Sequence, residues 1–271
     1  MKLSEVYKIA NGFAPKSLSD EYCAAFGAYD NSGLLIEACE EVKGILFALD
    51  LTNSAIDEAE KAGCNLIITH HPVIYGKIGD IKTSDEKLLG GKLVRCIQKG
   101  ISVISMHLNL DVAKDGIDES MMEGILRSAE AGMAASQDVR LMHPLQEGGY
   151  GRVYAVNETS LGNLVSGIET TFSTTRVLLY GNAERKVNKV ASFCGAGVDE
   201  QTIAFAKREG AEVMISADFK HHLIAMAVEL GMAVVVMTHY ASENYGFRKY
   251  YEKIRRQAEI PCVYHTDENL L

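Results

Sequence analysis

The sequence predicts an α/β protein made of two similar βαβ-containing halves that descend from an internal duplication. Three observations carry that prediction. Apolar runs of strand length alternate with helical patterns along the 271 residues. The order strand, helix, Gly, strand, His-His occurs twice, and each copy continues into a helix, a strand and a His with an acid four residues on. The chain is also long enough for two modest domains, each with its own core.

In the first half, "GILFALD" (44 to 50) reads as a buried strand. "SAIDEAEKAG" (54 to 63) reads as an amphipathic helix, with Ser54 as its N-cap and Gly63 as its stop. "NLIIT" (65 to 69) is the next strand and delivers His70 and His71. A helix around "KLLGGKLVRCIQKG" (87 to 100) and the strand "ISVISM" lead to "HLNLD", which pairs His107 with Asp111.

The second half repeats the pattern. "KVASFCG" from 189 is a strand, "DEQTIAFAKREG" (199 to 210) a helix ending on Gly210, and "AEVMIS" (211 to 216) a strand followed by His221 and His222. "HLIAMAVELG" (222 to 231) is a helix, "MAVVVMT" a strand, and "HYASE" pairs His239 with Glu243. Shared βαβ grammar explains the strands and helices but not the recurrence of the His and acid positions. Between the halves, residues 128 to 156 are rich in small residues and glycines, which suits a connection and a new strand. The expected domains are residues 1–135 and 136–271.

The formal net charge of −9 argues against a nucleic-acid backbone or an anionic membrane as partner. No apolar run approaches the length of a bilayer span, and the N-terminal stretch carries charges throughout, so a cytoplasmic protein without a secretory signal is expected. The six cysteines form no C-x-x-C pair and read as reduced thiols.

Imidazole nitrogens together with carboxylate oxygens suit Zn, Mn, Fe or Co better than Ca or a thiolate-selected metal. Such ligands collect at strand ends, where open α/β sheets place their sites. Alternation along a strand would send His70 and His71 to opposite faces, but Pro72 favours an extended, turning backbone that lets each imidazole serve a different metal of a pair. Asp111 and Glu243 would add oxygen ligands, one of them bridging. Two cations about 3.5–4 Å apart would clamp a hydrolytic water and polarise a substrate oxygen. The solitary His143 and His265 read instead as core or surface residues. "GAGVDE" (195 to 200) reads as a tight turn, "YDNSG" (29 to 33) as turn chemistry, and "GFRKYYEKIRRQ" (246 to 257) as a solvated helix face.

The chain resembles the Nif-three-like dinuclear-metal family, whose members are often called GTP cyclohydrolase 1 type 2 homologs. The resemblance runs through "YDNSGLLIE", "GILFALDLTNSAIDEAEKAGCNLIITHHPVIYG", "HLNLDVAKDGID", "FCGAG", "ISADFKHH" and "THYASE". It implies that His70, His71, Asp111, His239 and Glu243 hold two divalent cations per subunit, with Glu243 bridging and the metal site between the two halves. It also implies that His107 and the His221–His222 pair line the site, with His107 and His221 in proton-transfer roles. Tyr29 stands where the family commonly has Trp, and Leu108, Ala217, Asp218 and Thr238 also depart from its usual pattern; none of these is an implied ligand. The resemblance further implies a homo-hexameric toroid. Two functions follow as expectations: a metal-dependent hydrolase of a small nucleotide-like or phosphorylated substrate, or a non-catalytic metal-binding scaffold ring.

Overall fold

A computed structural model describes residues 1–78, 80–82, 84, 88–129 and 138–271. Residues 1–113 with 247–266 form one compact unit, and residues 114–246 with 267–271 form another. The expected boundary at 135/136 lies outside the described residues.

The first unit opens with helices α1 (Leu3–Phe13) and α2 (Lys16–Phe26), then strand β1 (Gly33–Ile36). Strands β2 (Ile45–Ala48), β3 (Leu66–Thr69) and β4 (Ser102–Ser105) are parallel, linked by α3 (Asn53–Ala62) and α4 (Leu89–Gln98). With β11 (Cys262–Tyr264) they make a sheet of order β1-β4-β3-β2-β11, in which only β1 is antiparallel to its neighbour. Every residue of β2, β3 and β4 is buried, as a parallel sheet covered on both faces requires. Leu46, Ile67 and Val103 pack with Ile56, Ala59 and Cys96 of the two crossover helices.

Two expectations need correcting here. The cap of α3 is Thr52, not Ser54: Thr52 has extended backbone, and its hydroxyl accepts from Ala55 N at 3.1 Å. Gly63 does end the helix, at φ 70°. The stretch 246–257 is solvated on one face only. Its residues 246–255 belong to α10 (His239–Arg255), where Arg248 and Arg255 are exposed but Phe247, Tyr250, Tyr251 and Ile254 are buried, and Phe47 of β2 meets Tyr251 edge-on at 5.2 Å.

The second unit comprises α6 (Ile117–Ser128), β5 (Arg140–Pro144), β6 (Gly149–Ser160), α7 (Leu161–Thr171), β7 (Leu178–Tyr180), β8 (Lys186–Ser192), α8 (Glu200–Arg208), β9 (Val213–Ser216), α9 (His221–Glu229) and β10 (Ala233–Val236). The sheet order is β5-β6-β8-β9-β10-β7. Strands β8, β9 and β10 are parallel, and β7 closes the edge antiparallel to β10. Each unit therefore holds three consecutive parallel strands with an antiparallel strand beside the third. Among the described residues no helix is long and apolar enough to cross a membrane. All six cysteines are free thiols.

Asp118, in the first turn of α6 and fully buried, ties this unit together. Its carboxylate accepts from Gly151 N at 3.0 Å and Cys194 N at 3.3 Å, and it pairs with the buried Arg152 guanidinium. Removing one member of a buried pair strands the other charge in a low-dielectric interior. Asp118→Ala should therefore lower unfolding free energy by about 3–5 kcal/mol in urea titrations. A variant within about 1 kcal/mol of the parent, the worth of an exposed pair, would show the pair to be dispensable.

Candidate metal centre

In the first unit the site grows from the ends of β3 and β4. Strand β3 does not simply splay its two histidines apart. His70 N and His71 N continue the ladder onto Ala48 O and Leu49 O, at 3.3 and 2.9 Å, and the Thr69 hydroxyl donates to His71 O at 2.8 Å. The backbone turns there, and the two rings come to 4.9 Å centroid to centroid. His107 precedes the single turn α5 (Leu108–Val112), and its ring lies 5.3 Å from that of His70. One ligand nitrogen from each of His70, His71 and His107 falls within 4.8 Å of the others. That same turn places Asp111 Oδ1 3.4 Å from His70 Nε2.

Which nitrogen faces inward is decided by what holds the other. His70 Nδ1 lies 2.7 Å from Met106 O, and a carbonyl can only accept, so Nδ1 carries the hydrogen and Nε2 the lone pair. His71 Nδ1 donates to Asp50 Oδ1 at 2.8 Å, and His107 Nδ1 to Asp30 Oδ1 at 2.7 Å. With His70 fully buried and Asp111 nearly so, a lone pair and a carboxylate face each other across 3.4 Å. A cation, or a shared proton, makes that arrangement favourable.

The contact between His107 and Asp30 favours the charged form of each group. Burial alone would push the Asp30 carboxyl up, but hydrogen bonds from His107, Ser19 and Ser32 outweigh it and hold the group well below the usual carboxylate range. Burial likewise opposes charge on His107, yet its bond to Asp30 and the field of Asp111 raise its pKa.

In the second unit His239 opens α10 and Glu243 follows one turn later, so both lie on one face. His239 Nδ1 is 2.6 Å from Asp218 Oδ2, and its Nε2 is 3.0 Å from Glu243 Oε1. Asp218 takes the left-handed region at φ 47°, a strained position that short Asp side chains tolerate. Gly195, in "FCGAG", has φ 57°, and a Cβ there would overlap Glu243 Oε1 and touch the His239 ring. The loop is held by Gly195 N on Ser242 Oγ and by Ala217 N and Ser216 Oγ on Gly195 O.

The structure thus brings His70, His71, His107 and Asp111 together in one unit, and His239 and Glu243 together in the other. His221 and His222 stand exposed in the first turn of α9. Sequence reasoning missed Asp30, Asp50 and Asp218 as imidazole anchors. Asp30 lay in a stretch taken only as a turn, and Asp50 directly follows "FAL" of the β2 run with no motif around it. An alanine at position 195 should cost more than about 1 kcal/mol of stability, because φ is positive and the space is taken. Gly12→Ala, in α1 with nothing within 4 Å of the new methyl, is the control and should gain up to about 1 kcal/mol. Equal effects in thermal or urea melts would refute the steric argument.

The Duf34/NIF3 (NGG1p interacting factor 3) family profile matches residues 1–269. A Clostridium acetobutylicum protein named GTP cyclohydrolase 1 type 2 homolog is 31% identical over 245 residues, 90% of this chain and 85% of that protein. Among solved structures, reduced HcgD from Methanocaldococcus jannaschii superposes with a TM-score of 0.77 at 26% identity, covering 97% of both chains. A Bacillus cereus protein related to NIF3 shares the fold, with a TM-score of 0.78 at 21% identity over 99% of this chain and 98% of that one. The chain belongs to the Duf34/NIF3 family.

Proposed function

We propose that this protein is a dinuclear-metal hydrolase acting on a small nucleotide-like or phosphorylated substrate. One observation supports it above others: His70, His71, His107 and His239 each rest Nδ1 on an oxygen, and Nε2 of His70 and His239 turns to Asp111 and Glu243. Anchored imidazoles with mixed carboxylates are the donor set of hydrolytic Zn, Mn, Fe or Co sites. In this reading His70, His71, Asp111, His239 and Glu243 would hold the two cations. The group, when bound, lowers the pKa of a water enough to provide a nucleophile at neutral pH. His107, held by Asp30, takes or returns a proton at Nε2. His221, exposed in the first turn of α9, serves as a further proton carrier.

The names of the curated relatives support the nucleotide class, since GTP cyclohydrolase chemistry is hydrolysis on a purine nucleotide. The matched strand order of the two units supports descent from a duplication. A homo-hexameric ring in the cytoplasm completes the proposal. A second reading, a metal-bearing scaffold that recruits a protein partner, is favoured by the interaction named in the family description.

Elemental analysis of untagged protein tests the central point, with an expected result of about two transition-metal equivalents per subunit, reduced in His239→Ala. Absence of bound metal, together with none taken up from solution, would remove the basis for either reading. Asp50→Asn should weaken metal binding about 10–100-fold through His71, measured by competition with a chromogenic chelator. Glu243→Gln that still assembles should abolish turnover of a GTP or phosphoester panel; undiminished turnover would exclude the hydrolytic assignment at this site.

A further inference from the structure

His265, which the sequence treats as a solitary core or surface residue, is not solitary in the fold. It follows β11, with its amide donating to Phe47 O at 2.8 Å, and its ring lies against α3. Its Nδ1 is 2.5 Å from Glu58 Oε2, and its Nε2 is 3.4 Å from Ser54 Oγ. Ser54 and Glu58 are one turn apart on α3, so the imidazole sits between a hydroxyl and a carboxylate on one helical face.

The hydrogens in this cluster follow from the donors and acceptors present. A carboxylate accepts, so His265 Nδ1 carries the hydrogen and Nε2 the lone pair. Nε2 is therefore an acceptor within 3.4 Å of the Ser54 hydroxyl. Thr52 Oγ1 accepts from Ala55 N as the helix cap and lies 2.8 Å from Ser54 Oγ, a pair in which either hydroxyl can donate. Thr52, Ser54, His265 and Glu58 thus form one contiguous run of polar contacts. Because Thr52 does the capping, the Ser54 hydroxyl is released from that duty and stands exposed.

We propose that Ser54, His265 and Glu58 form a second reactive site, a serine esterase centre for small carboxylic esters, independent of any metal. The cluster borders a cavity of about 580 Å³ lined by Ser54, Asp57, Glu58, Lys61, Ala62 and His265, a size suited to a small ligand. The charge of Asp57 is engaged by Arg95 at 2.5 Å, and Lys61 is exposed, so esters carrying an anionic group are favoured. A nucleophile and base slightly beyond ideal reach is usual before substrate binds, and the third group that orients the base is already in place.

The chemistry balances with water as the only co-reactant. Ser54 Oγ attacks the ester carbonyl carbon while its proton passes to His265 Nε2, and the C–O bond to the alcohol breaks as His265 returns that proton to the departing oxygen. A water then gives a proton to His265 and adds to the acyl carbon. Release of the carboxylic acid restores the Ser54 hydroxyl. The amide of Ser54, in the first turn of α3, is the donor the proposal assigns to the developing oxyanion. Glu58 and Thr52 are positioning residues.

The test uses the full chain after removal of metal by chelation, so that its failure and that of the metal reading are separable. A fluorophosphonate probe should label Ser54, located by peptide mass spectrometry, and p-nitrophenyl acetate should be hydrolysed. Ser54→Ala, a change at an exposed site, should lose both while melting unchanged. Glu58→Gln should lower kcat about 10²-fold or more with little change in KM. Absence of label at Ser54, or equal hydrolysis by Ser54→Ala, would overturn the proposal, as would ester hydrolysis seen only when metal is restored. The cluster would then be a structural tie between the β11 segment and α3.

Discussion

A neutral imidazole offers one lone pair, and the hydrogen bond made by one nitrogen decides where the other presents it. Most of what this protein can do depends on that constraint. Four histidines have Nδ1 committed to an oxygen: Met106 O, Asp50, Asp30 and Asp218. The commitments come from the ends of different strands and loops, so the folded sheets set the tautomers, and the tautomers set the chemistry. Without those oxygens, rotation of each ring would leave the direction of its lone pair undefined.

The sheets supply rigidity for this arrangement. Strands β2, β3 and β4 are buried along their whole lengths, and His70 and His71 extend the ladder beyond them before the backbone turns. In the second unit the same economy of space operates through backbone. Gly195 exists as glycine because its missing side chain is where the Glu243 carboxylate lies, and the loop carrying it rests on the buried Asp118. Packing and chemistry are therefore not separable at either end.

The Ser54–His265–Glu58 cluster obeys the same rule at a different place. There the oxygen partner of Nδ1 is a glutamate on a helix, and the lone pair meets a hydroxyl instead of a cation's position. The identity of the group facing Nε2, not the histidine itself, distinguishes the two proposed chemistries. Thr52 matters to this distinction because it takes over the capping of α3 and leaves the Ser54 hydroxyl uncommitted to the cap, within 3.4 Å of the ring.

By itself the sequence determined the alternation of strands and helices, the His-His pair at the end of β3, the stop at Gly63 and the family, because these depend on local periodicity, turn residues and the spacing of a few chemically distinctive side chains. It singled out His70, His71, Asp111, His239 and Glu243 as the proposed ligands for the same reason. Only the tertiary structure decided that α10 begins at His239 and buries Phe247, Tyr250 and Tyr251, since a basic, Tyr-bearing stretch looks solvated until an apolar sheet face is laid against it. Asp30, Asp50 and Asp218 were illegible as anchors because each partner lies 21 to 77 residues away in the chain. His265 and Glu58 are 207 residues apart, and no local pattern encodes a contact of that separation; it exists only once β11 pairs with β2.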